Sequence, residues 1–305
     1  MSKTILPLFI LCLLLILSSQ VSCERPYRTL ADSLYHVSGK SYSYNLNAVE
    51  NKYFLPYVLE EVSGLSYYKD AQVAMINDEE GRMFLYDLNK KDIDKAIRFA
   101  GSGDYEGVEI VDNTAYVLKS NGDLYHFEIS EDREVDADKI ETPLSKDNDL
   151  EGLGYDPERN RLMLVCKGKS EIDKDKVEGQ AIYGYDLDQE DFKKNPEFTI
   201  SKKKLEAFFE TAKNQSYDAG KITFRPSGIA LHPFERQWYM IASVGKLLIV
   251  VDDDGEIQAS YPIPPRLLSQ PEGICFLPNG NMLISSEGEG DRGYIIEYKM
   301  ERNNE

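Results

Sequence analysis

Five short stretches of this chain repeat one plan: a polar approach, a serine or glutamate, a glycine, and then an alternating apolar run ending in a turn. They are Val62-Ser63-Gly64-Leu65-Ser66-Tyr67, Tyr105-Glu106-Gly107-Val108-Glu109-Ile110, Leu150-Glu151-Gly152-Leu153-Gly154-Tyr155-Asp156-Pro157, Pro226-Ser227-Gly228-Ile229-Ala230-Leu231-His232-Pro233 and Pro271-Glu272-Gly273-Ile274-Cys275-Phe276-Leu277-Pro278. The glycines at 64, 107, 152, 228 and 273 are separated by 43, 45, 76 and 45 residues. A fixed period in the forties marks an array of supersecondary units. The interval of 76 is one period plus an insertion of about 30 residues.

Within each period, short alternating runs are separated by Gly, Asn and Asp turns, which indicates an all-β barrel, sandwich or propeller. Gly64–Tyr68, Gln72–Asn77, Arg82–Leu88 and Ala96–Ala100 are the predicted strands of the first period. Four strands per period of this length select a β-propeller. The last period ends one strand short. An open ring would leave sheet edges unpaired, so the alternating segment Ser41–Leu46 is predicted to complete the last blade. This makes five blades. A sixth would have to hide in residues 188–226, where Leu205, Phe208 and Phe209 instead give Lys202–Ala212 the spacing of an amphipathic helix. The propeller is thus expected over residues 40–300, with a helical insertion near 201–213.

The N-terminus follows different rules. Lys3 precedes Ile5–Leu17, an apolar run of 13 residues that suits a signal h-region and is too short to cross a bilayer. Residues 1–22 are the expected signal peptide. Cys23, after small residues, resembles the lipidated cysteine of a bacterial lipoprotein, although Gln20 replaces the usual aliphatic residue. Residues 23–39 would then be a lipid-anchored tether. Ordinary cleavage, releasing a soluble periplasmic or secreted protein, is the alternative. Cys166 and Cys275 lie in apolar strand runs and read as buried thiols, without the spacing of a zinc site.

The net charge of −18 argues against phosphate backbones and anionic lipid surfaces as partners. It favours a cation or a cationic partner, and it also serves simple solubility. In a propeller the first strand of each blade lines the channel. The residues before the five glycines, Ser63, Glu106, Glu151, Ser227 and Glu272, therefore form a ring. Three converging carboxylates repel one another unless neutralised. Calcium, which takes six to eight oxygen ligands, is the expected cofactor, with Glu106, Glu151 and Glu272 as ligands. The second strands end beside this ring at Asn77-Asp78, Lys119, Lys167, Ser243 and Glu287. Asn77, Asp78, Glu287, Ser63 and Ser227 are predicted to line the channel, and Lys119 and Lys167 to offset the acidic charge. The other possibility is a hydrogen-bonded, salt-bridged plug. Asp252-Asp253-Asp254-Gly255 looks like a calcium loop but lacks EF-hand spacing and reads as a hairpin turn. His36, His126 and His232 belong to no nucleophile motif.

The ordered alternation Ser63-Gly64, Glu106-Gly107, Glu151-Gly152, Ser227-Gly228 and Glu272-Gly273 resembles the SdiA-regulated (YjiK-like) family, which is distantly similar to NHL-repeat propellers. The resemblance covers about residues 40–300 and implies a five-bladed propeller with a bound calcium ion. The expected function is that of an exported, monomeric, calcium-binding module of the bacterial cell envelope. It would be membrane-associated only through its lipid anchor, and would recognise an envelope partner or small ligand. The alternative is a calcium-dependent hydrolase of lactones, esters or phosphoesters, with the metal at the channel mouth and Asp78 as its base.

Overall fold

Each of the five glycines sits where the backbone of the next blade leaves no room for a side chain. A Cβ on Gly64 would lie 2.9 Å from Val108 N, one on Gly107 2.8 Å from Leu153 Cβ, and one on Gly152 3.2 Å from Gly228 Cα. One on Gly228 would lie 2.9 Å from Glu272 O, and one on Gly273 2.7 Å from Leu65 Cβ, which returns to the first repeat. The contacts run once around a ring. They draw five inner strands to backbone contact and pinch the channel between them.

The computed structural model describes residues 36–37, 42–173, 176–211 and 222–302. Among these, the strands form a five-bladed propeller of antiparallel sheets. Blade 1 is Val62–Lys69, Gln72–Asn77, Arg82–Asp87 and Asp92–Arg98. Blade 2 is Tyr105–Val111, Thr114–Lys119, Leu124–Glu128 and Asp138–Ile140. Blade 3 is Leu150–Asp156, Arg161–Cys166 and Gln180–Asp186, with an outer position shared by Asp191–Phe192 and Phe198–Ile200. Blade 4 is Gly228–Leu231, Trp238–Ala242, Leu247–Val251 and Ile257–Pro262. Blade 5 is Pro271–Phe276, Met282–Ser286, Tyr294–Tyr298 and, from the N-terminal side, Asn51–Phe54.

Closure by an N-terminal strand is therefore correct, but the strand is not Ser41–Leu46. Tyr42–Ser43 pairs instead with Glu301–Arg302. Tyr44 and Leu46 do have buried side chains, yet they fill the wedge between blades 4 and 5. The closing strand has only Tyr53 buried, and its neighbours are exposed. An outermost strand packs on little, so it carries a weak alternation signal. His36–Val37, assigned to the tether, pairs by its backbone with Ala259 and Ser260 at the outer edge of blade 4. The predicted signal peptide, Cys23 and the remaining tether lie outside the described residues.

The hydrophobic core is divided. Each pair of adjacent blades encloses its own cluster of buried side chains, because both faces of every sheet meet a neighbour. Trp238 fills the wedge between blades 3 and 4, with its Cζ3 close to Gly154. The helix Lys202–Thr211 seats Leu205 and Phe209 in the same wedge, as its apolar spacing predicts. Asp156, fully buried, accepts from Arg161 of its own blade at 3.2 Å and from Arg236 of blade 4 at 2.7 Å. The Asp252–Gly255 segment is the expected hairpin turn, with Gly255 at φ +72°, and its Asp253 binds Arg236. Cys166 and Cys275 are buried free thiols.

Candidate functional site

In four of the five blades the residue before the glycine owes its position to a β-bulge. In blade 2, Tyr105 pairs with Lys119 and Gly107 with Leu118, so Glu106 has no partner of its own. In blade 3 the pairing skips Glu151 in the same way, and in blade 1 it skips Ser63. Blade 5 bulges across Glu272 and Gly273. In blade 4, Ser227 N donates to Ile241 O, the residue that also faces Gly228. A bulge re-aims the side chain of its extra residue. Here it turns Ser63, Glu106, Glu151 and Glu272 toward one mouth of the channel, above the pinch, where Ser227 joins them from an unbulged strand start.

The two serines hold the ring together. Ser63 Oγ donates to Tyr105 O at 2.6 Å, and Ser227 Oγ to Pro271 O at 2.6 Å, each tying its blade to the next. The glutamates carry unbalanced charge. Glu151 is buried and receives Lys167 Nζ at 2.9 Å. Burial drives the carboxyls of both Glu106 and Glu151 above the usual range. For Glu106 the charges of Glu151, Asp104 and Glu272 add to that rise. For Glu151 the Lys167 ammonium restrains it. Burial, then Glu151 and Glu287, push Glu272 up to about 8, against the pull of Lys167. Glu287 rises to about 7 through burial and the charges of Asp78 and Glu61, and its carboxylate accepts from Gln270. Asp78 rises to about 6, chiefly by burial and then Glu61, and its Oδ1 is buried without a hydrogen-bond partner.

These interactions bring Glu106, Glu151, Glu272, Glu287 and Asp78 into one electrostatic field with Lys167. The cavity enclosed by the ring and its glycines measures only about 10 Å³, about the room of one water. Among the described residues, no three His, Cys, Asp or Glu side chains stand close enough together to hold a metal ion. Asn77 donates to Val58 O and accepts from Glu80 N in the turn that follows its strand. Lys119 lies over the Tyr105 ring at 5.4 Å, and among the described residues it makes no ion pair with Glu106.

Several participants escape a reading confined to the residue before the glycine. Glu61, Asp104 and Asp149 each act on this field. Each stands three residues before its glycine, at the same point of the repeat as Gln270. That second periodic position was visible in the sequence. Lys246 was not; it reaches the rim from blade 4, donates to Ser269 O, and is held below the usual lysine range by burial.

The SdiA-regulated family model matches residues 38–287. Among solved structures, the chain is similar to glutaminyl cyclase from Myxococcus xanthus at 11% identity and a TM-score of 0.54, over 84% of this chain and 97% of that one. It is also similar to the PQQ-bound aldose sugar dehydrogenase of Streptomyces coelicolor at 12% identity and a TM-score of 0.50, over 87% and 100% of the two chains. At these identities the likeness is one of fold. No curated protein matches the sequence significantly. No helix among the described residues is long and apolar enough to cross a membrane.

Proposed function

The chain belongs to the SdiA-regulated family, a five-bladed propeller, and from that premise we propose that it is a calcium-binding module whose ion sits at the acidic mouth of the channel. The observation that carries this reading is the mutual repulsion of Glu106, Glu151 and Glu272, three bulge carboxylates offset by the Lys167 ammonium. The donors suit a hard cation: carboxylates, with Ser63 and Ser227 hydroxyls and backbone carbonyls beside them. Long glutamate side chains can close on an ion by rotamer change, replacing repulsion with attraction. Glu106, Glu151 and Glu272 are the proposed ligands, with Glu287 and Asp78 next to them.

Thermal melting with excess calcium and with chelator tests this. Calcium at about a hundred times its Kd should add about 2.7 kcal/mol to stability, a shift of several degrees. Glu272→Gln should remove most of that gain. No bound calcium and no shift in the wild-type protein would sink the reading.

The same reading places the protein in the bacterial cell envelope, held to a membrane by a lipid on Cys23 and acting as a monomer on a partner or small ligand. Mass spectrometry of the mature N-terminus checks the anchor, and an unmodified first residue other than Cys23 rejects it. A second function, hydrolysis of lactones, esters or phosphoesters, is favoured by one observation. Asp78 presents a buried, unpartnered oxygen with its carboxyl raised to about 6, as a general base requires. A bound calcium would supply Lewis-acid polarisation there. Turnover on a lactone, ester and phosphoester panel that survives in Asp78→Asn would remove Asp78 from that role.

A further inference from the structure

The opposite mouth of the channel is built from the same repeats. Two residues after the five glycines stand Ser66, Glu109, Gly154, Ala230 and Cys275. Four of these are small and one is a glutamate. On that side of the pinch a cavity of about 390 Å³ opens. It is within the size range of small-molecule sites. The inner strands of blades 1, 2, 4 and 5 and the inner-strand end of blade 3 all contribute to its lining.

Three carboxylates line it: Glu158, which pairs with Arg236; Glu235, whose Oε2 is buried without a hydrogen-bond partner; and Glu109, the one that stands on the inner-strand ring. Its Oε1 accepts from Ser66 Oγ at 2.7 Å and from Ile110 N at 3.2 Å, both neutral donors. Among the described residues no cation pairs with it. Arg236, which lines the same cavity, is committed elsewhere: to Asp156 at 2.7 Å, Asp253 at 2.5 Å and Glu158 at 2.8 Å. His232 is also not the counter-ion. Its Nδ1 accepts from the backbone N–H groups of Phe234 and Glu235, so the ring proton lies on Nε2, which faces Tyr44 Oη at 3.0 Å. Tyr44 in turn donates to Gly280 O.

Aromatic rings make up part of the wall. Tyr155, Phe276 and Phe234 line the cavity, and Phe234 leaves half of its surface (50%) exposed at the lip. Glu109 is bonded to a hydroxyl and a backbone N–H and shares no hydrogen-bond partner with Glu158 or Glu235, a poor arrangement for calcium or magnesium, which need several oxygen ligands. It is well matched to an ammonium group, which takes one strong acceptor and is also attracted to aromatic faces.

We infer that this far mouth binds a small organic ammonium ion with an aromatic or branched apolar body, its nitrogen on Glu109 and its body against Phe234 and Phe276. Burial pushes the free Glu109 carboxyl up to about 7. An entering ammonium would therefore restore its ionised state.

The test is calorimetric titration of the full folded chain with phenethylamine, and with 2-phenylethanol as its neutral counterpart, in calcium and again in excess chelator. Phenethylamine should bind at one site, at least tenfold more tightly than the alcohol, and equally well with and without chelator. Glu109→Gln should weaken it at least tenfold. Phe234→Ala, at a half-exposed position that the fold tolerates, should weaken it severalfold. Choline and isoamylamine extend the probe set to other bodies. Failure of all three amines to bind in the millimolar range, or equal binding to Glu109→Gln, overturns the inference. Binding that chelator abolishes also overturns it, because it would place the amine at the acidic mouth.

Discussion

The two mouths of the channel share one backbone and differ in how many acids each ring carries. At the acidic mouth, three of five equivalent positions are glutamates, and Glu61, Asp104 and Asp149 stand two residues before Ser63, Glu106 and Glu151. At the far mouth, one of five equivalent positions is a glutamate and the rest are small. The first arrangement concentrates charge around a space of about 10 Å³, and the second sets one ring carboxylate in a cavity of about 390 Å³ whose outer wall also carries Glu158, Glu235 and Arg236. A crowded ring is relieved by a multivalent cation with many oxygen ligands. A ring carboxylate without a counter-ion, in a roomy cavity with aromatic walls, is relieved by a monovalent cation with a body to fill it. The glycine pinch keeps the two apart, so each can be broken without the other.

The pinch should give the largest effect. Gly273→Ala would set a Cβ within 2.9 Å of Leu65 N and 2.7 Å of Leu65 Cβ, and backbone on that side cannot yield cheaply. We expect a loss of about 3 kcal/mol or more by chemical denaturation. Gly101→Ala, with open space around its Cα, should stay within about 0.5 kcal/mol. Equal losses at both positions would mean that the ring is not pinched.

Next comes Lys167. Its ion pair with Glu151 is largely buried, with side-chain exposures of 23% and 9%. Lys167→Met should cost about 2–3 kcal/mol in chelator, since a buried carboxylate is left uncompensated. It should also tighten calcium binding by about tenfold, because a positive charge has left the site. Stability and affinity must move in opposite directions, as read by melting and calorimetry. A loss of both would make Lys167 a scaffold for the site instead of its counter-charge.

The far mouth should respond to pH. The Glu109 carboxyl lies near 7 in the folded chain and about 4.3 when unfolded. The folded state thus binds the proton more tightly, and Glu109 subtracts progressively more stability as pH rises from about 4.3 to 7. Above that the loss is constant. Glu109→Gln abolishes the term, so the variant should gain on the wild type by about 1–2 kcal/mol between pH 5 and pH 8. Saturating phenethylamine should shrink that gap by stabilising only the wild type. A difference that does not change with pH would mean that Glu109 is ordinarily hydrated.

The fold was legible because blades repeat: five glycines, and apolar runs between Gly, Asn and Asp turns, carry the same signal five times over. The closing strand Asn51–Phe54 was hidden because an outer edge buries little more than Tyr53. The acidic ring was legible for the same reason as the blades, since a periodic backbone makes residues one period apart equivalent. The far mouth was not. Its signal lies in small residues, Ser66, Ala230 and Cys275, which are unremarkable singly and define space only when the strands are drawn into a ring. Side-chain reach was also invisible, and this separates two lysines that the sequence makes equivalent.

Lys119 and Lys167 occupy corresponding places, each at the end of a second strand beside a bulge glutamate. The difference lies in what each meets first. Lys167 extends to Glu151, while Lys119 lies over the Tyr105 ring and packs its Cε near Gly103. Glu106 is left to share its charge with Asp104, Glu151 and Glu272. Lys119→Met keeps the apolar stem over the ring and removes an ammonium that neutralises little. It should change stability by no more than about 0.5 kcal/mol, and calcium affinity by less than about threefold. If Lys119→Met instead matched Lys167→Met in both measurements, the two cations would be equivalent, and the asymmetry of the acidic mouth would have to come from the glutamates alone.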